Sequence, residues 1–458
     1  MSSQQDTNVT NLPDRTASST TNGTTGTTNG TTEQNPRISL ALVGGGIAGL
    51  CTAVSIIKHS PQIDLTIYES CASFREIGAG VAIQPNAKKA LALIDPVLRT
   101  AFDKISTNSL WPSKQEYWFD IRVGIDVEGK KAGDLVHSPK CPDGQVAVHR
   151  AKFLDELVKL VPEGICQFNK RVTEITEERG EDGDFKMHLK FKDGTEAVHD
   201  GIVGCDGVKS KVRGFVAPEC EPTFTGKYCY RGVIPMHQAI EVLGEEKAMN
   251  NNIYMGKHGH VSSLPIEGGK YISVTFFGNR PSWPYTDWIL PTDHLAMLAD
   301  LTSKNWSPFI LNLIPLTSHN TIYALFDQLD NPLPTYAHNH ALVIGDAAHG
   351  GTPFQGSGAG MAIEDAYVLG EILKCVTARK DLRKAFLAFN QVRKERTQAQ
   401  VRTGRESGHF WAGDDGEVGF GDWEIMRGYM DTRMRWIWDV DLEWAVRVGR
   451  VFMGVDEA

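Results

Sequence analysis

Apolar positions along this chain fall into two alternating rhythms. Residues 37–43 (RISLALV) are an apolar run ending in glycines, and residues 46–59 then repeat apolar positions every three to four, so a strand feeds directly into a helix. Residues 64–69 (DLTIYE) alternate and are β-branched, which predicts a second strand and completes a βαβ unit. Residues 78–82 (GAGVA) predict a loop, and Pro85 opens a helix to residue 94. The stretch 111–133 is strand-like and rich in aromatics. A helix over 150–160 leads into alternating strands at 165–178, 185–192 and 196–203. Segments 228–236, 252–255, 260–265 and 270–277 predict a second, antiparallel sheet, crossed by helices over 291–303 and 306–313. A short strand at 341–344 returns to glycines, and helices over 357–377 and 382–410 precede a tryptophan-rich helical tail to residue 451.

This order predicts an α/β fold: a discontinuous Rossmann-like domain, an inserted antiparallel-sheet domain and a helical C-terminal tail. The expected nucleotide-binding parts are 36–110, 150–219 and 336–380. Between them fall substrate-domain strands at 111–149 and a sheet with helices at 220–335, followed by C-terminal helices at 381–458. Residues 1–35 are Ser, Thr, Asn and Gly repeats with too little apolar surface to offset ordering, so a disordered tail is expected there.

Composition narrows the classes. The chain is 41% hydrophobic and 22% charged, an ordinary globular balance, and 458 residues predict two domains. A net charge of −9 argues against a nucleic-acid partner. No apolar run reaches membrane-span length. Eight cysteines without CxxC spacing read as reduced thiols. The N-terminal tract lacks the apolar core of a signal peptide and the arginines of a transit peptide, so a cytoplasmic location is expected and the sequons at Asn8, Asn22 and Asn29 read as unused.

Candidate chemistry sits in three segments. Gly44-x-Gly46-x-x-Gly49 follows a strand and opens a helix; the glycines serve a tight turn, close approach of a diphosphate and close helix–strand packing. Glu69 ends the next strand, where a carboxylate accepts ribose hydroxyls; an ordinary glycine turn is the bland alternative. Gly204-Cys205-Asp206-Gly207 follows a second apolar strand and alone could be a plain turn. Gly345-Asp346 follows a third and places a carboxylate where a polyol could bind. Small residues from Pro353 to Gly360 then allow approach of a flat ring and open a helix whose dipole favours negative charge there.

In this order VGGGIAGL, GCDGVKSKVR and GDAAHGGTPFQGSGAG resemble the segments of FAD-dependent aromatic hydroxylases, the single-component flavoprotein monooxygenases, over about residues 37–400. The resemblance implies a Rossmann-like FAD-binding domain, bound FAD and NADH or NADPH as a transient donor. By it, Gly44, Gly46, Gly49 and Glu69 hold the ADP half, Arg150 (in VHRAKFLDEL) opens the helix over the flavin, and Asp206 touches both FAD and donor. Asp346 would bind the ribityl region, with Ala82 and Ala359 near the isoalloxazine. FREIGAG, KYCYRG and IWDVD are similar to fungal salicylate hydroxylase-like enzymes acting on polyketide phenols, which implies that Arg231 faces a substrate phenolate. A structural ion pair is the alternative for Arg231. Those relatives carry Tyr where this chain has Leu264; Ser262, Ser263 or His260 are the candidate replacements, although adjacent strand residues face opposite ways. His349 reads as structural, and no metal-ligand spacing such as HExxH occurs.

The expected activity is hydroxylation of a phenolic or aromatic-acid ring with O2 and NAD(P)H, with decarboxylating and dearomatising outcomes left open. Two alternatives stand beside it: an epoxidase or reductase of an alkene or terpenoid, and a flavin-binding interaction protein without turnover. The tail tryptophans Trp423, Trp436, Trp438 and Trp444 read as core packing or a homodimer surface.

Overall fold

A computed structural model describes residues 37–74, 80–181, 183–318, 321–415, 418 and 420–455. The low-complexity tail expected at 1–35, and most of the segment FREIGAG, lie outside the described residues. Strand Ile38–Val43 is buried almost throughout and lies inside a six-stranded sheet, between Gly201–Gly204 and Ile63–Tyr68, parallel to both. Ala341–Val343 continues the sheet in parallel beyond Gly201–Gly204. The three strands that end in glycines are thus adjacent and finish at one edge. Helix Ile47–His59 packs on this sheet together with helix Gly358–Leu373, whose buried residues include Ala362, Ala366, Leu369 and Leu373. The three remote glycine segments therefore meet because their strands pair.

A second sheet has eight strands. Four of them, Thr321–Asp327, Thr223–Pro235, Tyr271–Asn279 and Gly259–Ile266, are antiparallel neighbours in that order. One face carries Tyr228, Tyr230, Val261, Val274 and Phe276 and packs under helix His294–Thr302. The other carries Cys229, Phe277 and Leu264 and is covered by Phe354, Met361, Phe410, Trp411 and the C-terminal segment around Met430 and Trp438.

Some elements differ from the sequence reading. The segment expected as one strand at 196–203 is two: Glu196–His199 completes a three-stranded meander, and Gly201–Gly204 enters the parallel sheet. The break is Asp200, whose carboxylate accepts the Ser39 N–H at 2.8 Å and pairs with Lys186, so the chain changes sheets at a polar anchor. The expected loop at 78–82 contains a strand, Gly80–Ile83, paired antiparallel with Val146–His149. Of the aromatic stretch 111–133 only Asp120–Val123 is a named strand, and it pairs in parallel with Asn252–Gly256. The helix expected over 306–313 is a single turn, Pro308–Leu311. Tail helices Trp423–Arg433 and Leu442–Phe452 form as expected; Trp438 is buried, whereas Trp444 is 58% exposed.

Candidate active site

Strand pairing puts Val43 beside Gly204, so Gly44 and Asp206 meet at the sheet edge. Gly44 has φ +107°, and a Cβ there would lie 2.5 Å from the Cys205 carbonyl oxygen; a Cβ on Gly49 would lie 2.0 Å from the Gly44 oxygen. Both glycines are required by packing. Gly46 is different: the nearest atom to its missing Cβ is an Arg150 guanidinium nitrogen at 3.6 Å, leaving its backbone face open. Glu69 stands at the end of the neighbouring strand, its two oxygens accepting the Gly45 N–H at 2.8 Å and the Cys71 N–H at 2.7 Å.

Asp206 accepts from the Ser210 hydroxyl and from the backbone N–H groups of Lys211 and Val212, so it organises the start of helix Lys211–Val216. Burial pushes its carboxyl above the usual range despite those donors. Asp346 is exposed at the surface of the glycine turn; the protein packed around it pushes its carboxyl up, with His349 and Arg150 pulling the other way. A Cβ on Gly358 would lie 3.8 Å from the Asp346 carboxylate, and one on Gly356 would lie 3.2 Å from the Ala82 Cβ. Ala82, Gly356, Gly358 and Ala359 are all partly open. Gly46, Arg150, Asp346, Gly358, Gly356 and Ala82 thus follow one another as neighbours from the glycine turn to strand Gly80–Ile83.

Residues missed in the sequence hold this surface in shape. Asp365 accepts the Gly345 N–H at 3.0 Å and His349 Nε2 at 2.7 Å, and pairs with buried Arg393 at 2.7 Å. Burial opposes its ionisation, but His349 and Arg393 outweigh that and bring its carboxyl to about 2. His349 is therefore a strut beneath the glycine turn. The signal was available: Glu364-Asp365 interrupts an apolar helical stripe, and two buried acids demand cations. Gln84 donates to the Gln355 carbonyl at 2.5 Å and accepts from the Trp438 indole at 3.2 Å, tying strand Gly80–Ile83 to the loop and to the tail.

Arg231 lies on the second sheet, apart from the glycine edge but on the face turned towards Phe354 and strand Gly80–Ile83. It is level with Thr275, which is level with Ser262 on the next strand. Cross-strand partners share a face. The guanidinium lies 5.3 Å above the Tyr323 ring and contacts the Cys229 thiol; among the described residues no carboxylate pairs with it. The structural ion pair considered for Arg231 is absent from these partners.

The same register sorts the candidates for the missing tyrosine. His260, Ser262 and Leu264 share the Arg231 face, whereas Ser263 turns to the opposite layer near Tyr254. His260 is buried, stacked on Phe277 with centroids 4.3 Å apart, and burial holds its imidazole neutral, well below its usual range. Among the described residues no cluster of His, Cys, Asp or Glu is placed to hold a metal ion, and no helix is long and apolar enough to cross a membrane.

The residues present fit FAD: a glycine turn with one open backbone face, a carboxylate on the adjoining strand, a guanidinium over the turn, an exposed acid beside Gly358, and Cβ-free surface beside Ala82. Fold and site define an FAD-binding protein of Rossmann-like type. The family described as FAD binding domain matches residues 311–404. The chain is 40% identical over 412 residues to 6-methylsalicylate 1-monooxygenase of Aspergillus terreus, covering 89% of this chain and 90% of that protein. It is 33% identical to a salicylate hydroxylase of Pseudomonas putida, covering 92% and 96%. The solved structure of a salicylate hydroxylase substrate complex superposes with a TM-score of 0.78 at 29% identity, covering 90% of this chain and 98% of that one. The chain belongs to the salicylate hydroxylase-like family of FAD-dependent monooxygenases, and FAD is its cofactor.

Proposed function

We infer that this chain uses NAD(P)H and O2 to hydroxylate an aromatic ring bearing an anionic oxygen. The observation that supports this most is Arg231. A partly open guanidinium in an apolar layer, without a carboxylate partner among the described residues, is placed to take an anion from a ligand. A carboxylate or phenolate answers that charge through charge-assisted bonds, and guanidinium geometry favours a bidentate one. Similarity to 6-methylsalicylate 1-monooxygenase and salicylate hydroxylase favours an aromatic hydroxy acid over a simple phenol.

In this reading the open face of Gly46 admits the diphosphate, Glu69 accepts from the ribose, and Gly44 and Gly49 shape the turn. Arg150 and Asp346 flank the ribityl chain, Asp206 orders the adjoining loop, and Ala82 and Ala359 present backbone to the ring. Hydride acceptance and O2 activation are the chemistry FAD supplies when bound. The chain's own residues bind, orient and keep water out: Phe354 and Leu264 wall the site, and Arg231 stabilises an ionised ring substituent, keeping the ring electron-rich. The start of the 16-residue helix Gly358–Leu373 favours negative charge beside the flavin. An alkene substrate suits Leu264 but leaves Arg231 without a role.

The test is oxidation of NADH and NADPH by the FAD-loaded protein. Salicylate, 6-methylsalicylate or a polyketide phenol should accelerate it and yield oxygenated product. Arg231→Ala should keep FAD and lose ring oxygenation. Loss of FAD instead would make Arg231 structural, and no response across the panel overturns the reading.

A further inference from the structure

The face of the second sheet that bears Arg231 is organised in rows. One row, Cys229, Phe277 and His260, is roofed by Phe354, whose ring centroid lies 5.2 Å from Phe277 and 5.3 Å from His260. Four residues along each strand, Ser273 and Leu264 lie under strand Gly80–Ile83, 3.6 and 3.5 Å from where a Gly80 Cβ would be. Between these two roofs runs the row Arg231, Thr275, Ser262, and all three are partly open, as are Leu264 and Tyr323 beside them. The row forms the floor of a trench. Its floor spans roughly 10 Å, two strand spacings, from the Arg231 backbone to that of Ser262. The Thr275 and Ser262 hydroxyls make no hydrogen bond to any described residue.

We propose that Thr275 and Ser262 are positioning residues of the trench, Thr275 sharing the substrate carboxylate with Arg231 and Ser262 bonding a ring hydroxyl. The trench then takes 2-hydroxyaryl carboxylates in one orientation. Three polar groups in line, a cation and two hydroxyls, match a carboxylate followed by a neighbouring oxygen. A lone phenolate would engage the Arg231 end and leave Ser262 unused. Leu264, beside Ser262 on the same face, supplies apolar contact to the ring edge. This rests on the reading of Arg231 as the anion anchor.

The experiment titrates salicylate, benzoate and phenol into the FAD-loaded protein, following the flavin absorbance. Thr275→Val should weaken salicylate and benzoate alike by about tenfold, the loss of one hydrogen bond to a charged group. Ser262→Ala should weaken salicylate by about tenfold and leave benzoate unchanged. Thr275→Ser and Ser262→Thr should restore affinity, which separates hydroxyl chemistry from a packing defect. Both removal variants binding all three probes as the parent does would overturn the proposal, as would a parent that does not prefer salicylate. Arg231→Ala with undiminished salicylate affinity would instead sink the anchor reading, whatever the hydroxyl variants do.

Discussion

Trp438 and Gln84 are joined by a hydrogen bond of 3.2 Å across 354 residues of chain. Gln84 passes the constraint to the Gln355 carbonyl, so the C-terminal tail, strand Gly80–Ile83 and the loop before helix Gly358–Leu373 form one connected unit. Trp438→Phe removes the donor and part of the buried indole's packing. It should lower stability by about 2–3 kcal/mol and speed FAD release, read by thermal melting and by flavin fluorescence.

Gly46 and Gly49 differ in the space around them, which lets the proposed cofactor role of one be told apart from the packing role of the other. An alanine methyl at Gly46 meets only the Arg150 guanidinium at 3.6 Å, whereas one at Gly49 would overlap the Gly44 oxygen at 2.0 Å. Gly46→Ala should therefore fold normally and bind FAD weakly. Gly49→Ala should distort the turn and lower the apoprotein's melting temperature as well. Circular dichroism melts with and without FAD distinguish the two.

Asp365 links acid stability to the site. Its folded-state carboxyl is held to about 2, below the unfolded value of about 3.9, so its stabilisation is complete above pH ~4 and lost as pH falls through ~2. Asp365→Asn should flatten that part of the acid-unfolding curve. At neutral pH it should cost roughly 3–5 kcal/mol, because Arg393 would lose one of its buried partners.

Tyr323 offers a measure of how Arg231 is aimed. Removing the ring in Tyr323→Leu should raise KM for an aromatic acid by several-fold, the equivalent of about 0.5–2 kcal/mol of cation–π contact, with FAD content unchanged.

The glycine turns were legible in the sequence because each demands a residue type that little else explains: Gly44 a positive φ, Gly49 contact with backbone. Glu69 was legible from its strand position, and its contact with Gly45 follows from that placement. The capping bonds of Asp206 were not, since a carboxylate before a glycine reads equally as ligand or as cap. Nor could the sequence choose between Ser262 and Ser263. Both sit in an apolar strand buried on each side, where alternation is erased and only pairing with Thr275 and Val274 assigns the face. Asp200 concealed a change of sheet inside one strand-like segment, because the polar pair His199-Asp200 is too short a break to register in a periodicity.

The trench floor draws one side chain from each of three adjacent strands, and the residues between them, Gly232, Val274 and Ser263, belong to the opposite face. Inserting or deleting one residue in any of these strands would exchange floor for core and destroy both layers at once. Point replacement at Arg231, Thr275, Ser262 or Leu264 leaves the strand pairing of both layers in place. Substrate preference in this architecture can drift one side chain at a time while strand lengths stay frozen, so relatives with different substrates should differ here by identity and never by length.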